Sequence, residues 1–205
     1  MIGIIDYDAG NLKSVQKALK YIGQDSVITR DRRELLGAEK VILPGVGAFG
    51  DAMANLKKYE LDKVIRELAA MDKPFLGICL GLQLMFEASE ESPGVEGLGL
   101  LKGQILRIPD SPGLKIPHIG WNSLTLSGDG RLFAGIGQNP YVYFVHSYYL
   151  KADDMDIVKA TADYSVNIHA SVEKGNLFAC QFHPEKSSET GLQILRNFAA
   201  LGGNA

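Results

Sequence analysis

Cys79 stands between Gly77 and Gly81 in an apolar run from 74 to 86, and that setting gives it chemical potential. Residues before it read as a strand, and those after it continue with helical periodicity. The cysteine therefore occupies a strand-to-helix corner, where a non-glycine residue is pushed toward a strained backbone and needs small neighbours. Gly77 and Gly81 supply that room. Such a corner lifts the sulfur out of the sheet beside the first free N–H groups of a helix, and makes Cys79 the candidate nucleophile. Read alone, the residue also fits a small buried hydrophobe.

A nucleophilic thiol needs a base, and the base needs a group that orients it. His183 and Glu185 lie two residues apart at the polar end of an apolar segment, 177–183, and on an extended chain they point the same way. Glu185 can then hold one imidazole nitrogen and leave the other for Cys79. Pro184 fits between them because it cannot continue a sheet ladder. By itself a histidine beside a carboxylate is equally a surface pair.

The third element is the segment 41–50, an apolar strand that breaks into a loop with glycines at 45, 47 and 50. Attack on an amide carbon creates an oxyanion that needs donors already in place. The backbone N–H groups of Val46 or Gly47, together with that of Leu80 after the nucleophile, are the candidates. The loop lacks the Lys-Ser/Thr of a phosphate-binding loop and the glycine spacing of a dinucleotide fold.

These groups need a scaffold. Strands are expected over 2–7, 26–29, 40–43 and 75–79, with helices over 11–22 and 61–71 between them. Gly23 stops the first helix. Alternating strands and helices imply an α/β fold with a mostly parallel central sheet flanked by helices, and the Asp6 turn, the Gly45 loop and the Cys79 corner all fall at carboxyl ends of strands. From residue 98 onward short strand-like runs at 103–108, 141–150, 157–163 and 168–172 predict a mostly antiparallel second half. A helix over 191–201 is expected to pack back through Leu192, Leu195 and Phe198. The chain reads as one domain, 1–205, with no internal repeat.

Composition narrows the function. With 21 basic and 24 acidic side chains in 205 residues the net charge is -3, and no basic cluster suggests nucleic acid. No apolar run approaches membrane-spanning length and no signal-peptide pattern opens the chain, so a cytoplasmic location is expected. Two cysteines make no disulfide framework, and Cys180 reads as packing. The four histidines show no zinc-like spacing, so neither a metal nor another cofactor is expected.

The Cys79 corner with Gln83, the Pro44–Gly47 loop and the Gln181–Glu185 segment together resemble the triad-type (class I) glutamine amidotransferase domain. The likeness extends nearly end to end. Narrower motifs at 6–15, 118–122 and 143–148, with Lys186 and Ser187, resemble the glutaminase subunits that feed ammonia to a (β/α)8-barrel cyclase in histidine biosynthesis. Asp8 and Ser147 depart from the commonest residues of that pattern without touching the triad. The resemblance implies a Cys79–His183–Glu185 triad acting on L-glutamine, held partly by Gln83, His146, Ser147 and Tyr148. It also implies a heterodimer in which Asn11, Trp121, Tyr143 and Lys186 face the cyclase or the ammonia path. His146 and Trp121 fit core positions equally well on sequence grounds.

Overall fold

The computed structural model describes residues 1–202. Its first half alternates strand and helix: β1 (Ile2–Ile5), α1 (Leu12–Tyr21), β2 (Ser26–Thr29), α2 (Arg32–Gly37), β3 (Lys40–Gly45), α3 (Phe49–Lys58), α4 (Leu61–Ala70), β4 (Phe75–Cys79) and α5 (Leu80–Leu84). The second half is richer in strands: β5 (Ala88–Ser89), β6 (Gly103–Arg107), β7 (His118–Ser123), β8 (Thr125–Leu126), β9 (Tyr141–His146), β10 (Tyr148–Ala152), β11 (Val158–Tyr164), β12 (Val166–Lys174) and β13 (Leu177–Cys180), closed by α6 (Ser188–Ala200).

The central sheet has eight strands in the order β2-β1-β3-β4-β13-β12-β11-β8. From β2 to β13 every pairing is parallel, and from β13 outward every pairing is antiparallel. β13 thus joins the two halves: it lies parallel to β4, with Cys180 opposite Ile78, and so brings the chain beyond its end next to Cys79. One sheet face is covered by α1 and α6 through Val15, Leu19, Ile194, Leu195 and Phe198, the other by α2, α3 and α4 through Leu35, Leu56, Ile65 and Leu68. Both faces being covered, the inner strands are apolar throughout rather than alternating.

Local chemistry explains most boundaries. Gly23, at φ 77, ends α1 in a Schellman turn, with Gln24 N–H on Leu19 O and Gly23 N–H on Lys20 O. Asp31 caps α2 by accepting from the N–H groups of Arg33 and Glu34. Among the described residues no helix is long and apolar enough to cross a membrane.

Three expectations need correction. The helix after Cys79 is only five residues long, because the carbonyls of Leu84 and Met85 that would continue it accept instead from Leu98 and Leu100. The single strand expected over 141–150 breaks at Ser147, where the chain leaves β7, the partner of β9, for β6, the partner of β10. The second half is mostly antiparallel, as expected, with β5–β6 and β4–β13 its parallel pairs. α6 begins at Ser188, three residues before the expected start. Helices α2 and α3, and the strand β7 under the 118–122 motif, lay outside the expected set.

Candidate active site

Cys79 ends β4 at φ 55 and ψ -110, a left-handed conformation that a side-chain-bearing residue adopts only under constraint. The constraint is the close crossing of strand and helix. A Cβ on Gly81 would lie 1.8 Å from the Leu43 carbonyl oxygen, and one on Gly77 would lie 2.7 Å from Met85 Sδ. Both glycines are required for the corner to close.

Cys79 is 5% exposed, and its sulfur makes two hydrogen-bond contacts. Its S–H reaches Val145 O at 3.8 Å, and it accepts from Gln181 Nε2 at 3.7 Å. Once ionised it loses the first and keeps the second, because a carbonyl cannot donate.

His183 and Glu185 meet, though not along a strand. The residues from Pro184 to Lys186 form a 3₁₀ turn that folds Glu185 back, so that Oε1 lies 2.7 Å from His183 Nδ1 with both side chains buried. A carboxylate only accepts, so Nδ1 carries the proton. His183 Nε2 is buried without a hydrogen-bond partner. Burial works against the charged ring, but hydrogen bonding and charge from Cys79 and Glu185 outweigh it and raise the His183 pKa above its ordinary value. The ring is anchored from behind: His183 N–H donates to Tyr143 O, and Ser187 Oγ donates to His183 O while accepting from Tyr143 N–H.

A cavity of about 230 Å³ opens over the sulfur, lined by Cys79, Leu80, Val46, Gly47, Gln83 and the His146–Tyr148 corner, with Glu91, Pro117 and Val145 completing the wall. Gly47 has φ 105, a conformation that favours glycine, at the point where the loop lines the cavity. Tyr7, buried beneath that loop, donates its hydroxyl to Pro44 O at 2.9 Å.

The other residues singled out above take varied positions. Gln83 is buried and donates through Nε2 to Tyr148 O and Gln181 Oε1. Ser147 sits at the break between β9 and β10, its carbonyl accepting from Ile108 N–H. Asn11, at φ 71, donates to Glu185 Oε1 at 2.5 Å, joining it to the His183 pair. Trp121 is 51% exposed and packs edge-on against Tyr143 across the β7–β9 ribbon. Lys186 is exposed beside the His183 turn. Cys180 is fully enclosed, and burial pushes its thiol pKa up.

Three residues escaped the sequence reading. Gln181 touches the sulfur, yet in sequence it is one polar residue after an apolar strand. Glu91 lines the cavity from the 89–97 loop, a segment in which no sequence motif singles it out, and its Oε2 caps α3 at Phe49 N–H. His118 is buried against His146, a contact no local spacing signals. Among the described residues no group of three or more His, Cys, Asp and Glu side chains is arranged to hold a metal ion.

A cysteine on a strained elbow at the carboxyl edge of a parallel sheet, with a buried His–Glu pair in the turn after the neighbouring strand, is an arrangement that can do cysteine-type amide chemistry. The family model for class-I glutamine amidotransferases matches residues 3–201, and the chain belongs to that family. More narrowly, it is 52% identical over 201 residues to the imidazole glycerol phosphate synthase subunit HisH of Caldanaerobacter subterraneus subsp. tengcongensis, covering 98% of each chain. It is 49% identical over 201 residues to the HisH subunit of Methanothermobacter thermautotrophicus, again covering 98% of each. Among solved structures, PurLQS from Thermotoga maritima superposes with a TM-score of 0.73 at 25% identity, covering 97% of this chain and 96% of that one. A crystal structure of a glutamine amidotransferase superposes with a TM-score of 0.75 at 19% identity, a likeness of fold that covers 97% and 98% of the two chains.

Proposed function

We propose that this chain, as one domain over 1–205, is the glutaminase subunit of an imidazole glycerol phosphate synthase. It hydrolyses L-glutamine to glutamate and supplies ammonia to a (β/α)8-barrel cyclase subunit, which forms imidazole glycerol phosphate and aminoimidazole carboxamide ribotide in histidine biosynthesis. The observation that carries the glutaminase is Cys79 in the cavity wall at the end of β4, with the hydrogen-bonded His183–Glu185 pair buried in the turn that follows the neighbouring strand β13. The particular synthase is supported by roughly half-identical relatives of that name along nearly the whole chain.

The chemistry follows from the positions of the groups. Cys79 passes its proton to His183 Nε2 and attacks the side-chain amide carbon of glutamine. The oxyanion lies toward the Leu80 and Val46 or Gly47 amides. Collapse breaks the C–N bond, and His183 Nε2 gives its proton to the departing nitrogen, which leaves as ammonia. His183 then takes a proton from water as that water opens the thioester; glutamate leaves and the proton returns to sulfur. Glu185 keeps Nδ1 protonated throughout, so Nε2 is always the nitrogen that exchanges.

Substrate recognition is assigned to the cavity wall. Both hydrogens of Gln83 Nε2 are taken by Tyr148 O and Gln181 Oε1, which leaves its carbonyl oxygen as the group for substrate. Glu91 provides a carboxylate on the same wall for the α-ammonium of an amino acid. The partner faces the exposed side of the β7–β9 ribbon, where Ile119, Trp121 and Tyr141 form an apolar surface unusual for a free strand pair. Asn11, Tyr143 and Lys186 border that side through the His183 turn, and the heterodimer works in the cytoplasm with lyase chemistry on the cyclase.

The deciding experiment is glutamate release by the chain with and without the cyclase. Wild type is expected to be slow alone and fast in the complex, whereas Cys79→Ala is expected to lose all turnover and still bind its partner. Turnover by purified Cys79→Ala overturns the nucleophile, and failure to restore growth of a histidine auxotroph lacking this subunit overturns the synthase.

A further inference from the structure

From the cavity wall a chain of buried polar groups runs back to His118, which does not line the cavity. His146 Nδ1 lies 2.8 Å from Tyr148 O, and His146 Nε2 lies 2.9 Å from His118 Nδ1. Protons on these rings are not free to choose their nitrogen. A carbonyl only accepts, so His146 carries its hydrogen on Nδ1 and its Nε2 is bare. His118 must then donate from Nδ1, which leaves its Nε2 as the acceptor for Asn122 Nδ2 at 3.5 Å. Burial keeps both rings neutral by lowering their pKa values, to about 4 for His118 and about 3 for His146.

The line continues past Tyr148. Its carbonyl accepts a second hydrogen bond, from Gln83 Nε2 at 3.2 Å; the same nitrogen donates to Gln181 Oε1 at 3.1 Å, and Gln181 Nε2 donates to Cys79 Sγ. Each bond fixes which end of the next amide faces which way. A reversal at His146 would set two acceptors face to face at Tyr148 and free that carbonyl to turn. His118 is held for this role by stacking between Phe144 and Tyr164, at ring separations of 4.7 and 3.9 Å.

We propose that His118 is a positioning residue for glutamine hydrolysis: its Nδ1–H locks His146 in one tautomer, and this sets the Tyr148 carbonyl, the Gln83 and Gln181 amides and the nucleophilic sulfur. The proposal rests on the glutaminase reading above, but the tautomer it requires is measurable without any turnover.

Two substitutions separate positioning from packing. His118→Phe keeps an aromatic ring in the stack and removes the donor, whereas His118→Asn loses the ring but places an amide N–H where Nδ1 was. In the complex with the cyclase, His118→Phe is expected to raise KM for glutamine about tenfold and to slow iodoacetamide labelling of Cys79, with His118→Asn within about threefold of wild type. Long-range ¹H–¹⁵N spectra of the histidine-labelled full chain are expected to find Nδ1–H tautomers at both His118 and His146 in wild type and loss of the single His146 tautomer in His118→Phe. An Nε2–H signal from His146 in wild type overturns the proposal. So does a His118→Asn variant that folds and is as impaired as His118→Phe, or a His118→Phe variant with wild-type kinetics. If wild type shows the Nδ1–H tautomers but no glutamine turnover, the relay stands and the glutaminase reading falls. Should His118→Phe fail to fold, the wild-type spectrum and the kinetics of His118→Asn decide.

Discussion

At the residue scale the site is organised by two kinds of cost. The first is conformational: Cys79 is held at φ 55, where strain is of the order of 1–3 kcal/mol. Replacing it with glycine removes the strain and the sulfur together, and with alanine the sulfur alone. Cys79→Gly is therefore expected to be about 1 kcal/mol more stable than Cys79→Ala in urea unfolding, with neither hydrolysing glutamine. Equal midpoints would mean that the elbow stores no strain. The second cost is electrostatic. Burial depresses the pKa of His146 from 6.5 to about 3, so between those values the unfolded chain binds a proton that the folded chain does not. Stability is full above pH ~6.5 and drains as pH falls, by about 2 kcal/mol from pH 7 to 5 for His146, with His118 adding in the same direction. His183 has the opposite sign, since its raised pKa gives stability that is lost as pH rises through the folded value. Unfolding midpoints across pH 5–8 in wild type and His146→Gln check the acid side; parallel curves for the two proteins would place the loss elsewhere.

At the element scale, strands and short turns bring these residues to one edge. β4 delivers Cys79, β13 delivers Gln181 and His183 beside it, and the 3₁₀ turn folds Glu185 under the ring. The tightest point is the crossing of α5 over β3, where Gly81 leaves no room for a methyl group against Leu43 O. Gly81→Ala is expected to cost about 3 kcal/mol and to abolish turnover, because the collision is with backbone and not with a side chain that can swing away. Circular dichroism during urea unfolding measures the first effect; an unchanged midpoint would mean that strand and helix part freely. The pattern of glycines around Cys79 was legible in sequence for this reason. A break such as Ser147 was not, because nothing local to 141–150 marks where one neighbour, β7, gives way to another, β6.

For the whole molecule, the β7–β9 ribbon presents two different faces. His118, Phe144 and His146 turn inward and are buried, while Ile119 and Trp121 remain exposed. An exposed tryptophan beside a tyrosine is the composition of a binding anchor. Trp121→Ala is expected to weaken association with the cyclase by about 2 kcal/mol in titration calorimetry while leaving the thermal midpoint of the free chain unchanged. A lower midpoint with unaltered affinity would return Trp121 to a structural role.

The sequence alone determined the strand–corner–helix at Cys79, the glycine loop at 45–47, the His183–Glu185 pair and the covered parallel sheet. Each of these is a local demand on backbone or periodicity, and such demands are written in neighbouring residues. Only the tertiary structure decided which buried polar atoms meet: His118 with His146 across 28 positions, Gln83 with Gln181 across 98, Asn11 with Glu185 across 174. Those meetings depend on sheet register and on which strands become neighbours, and a hydrogen bond formed that way leaves no spacing in the chain from which to read it.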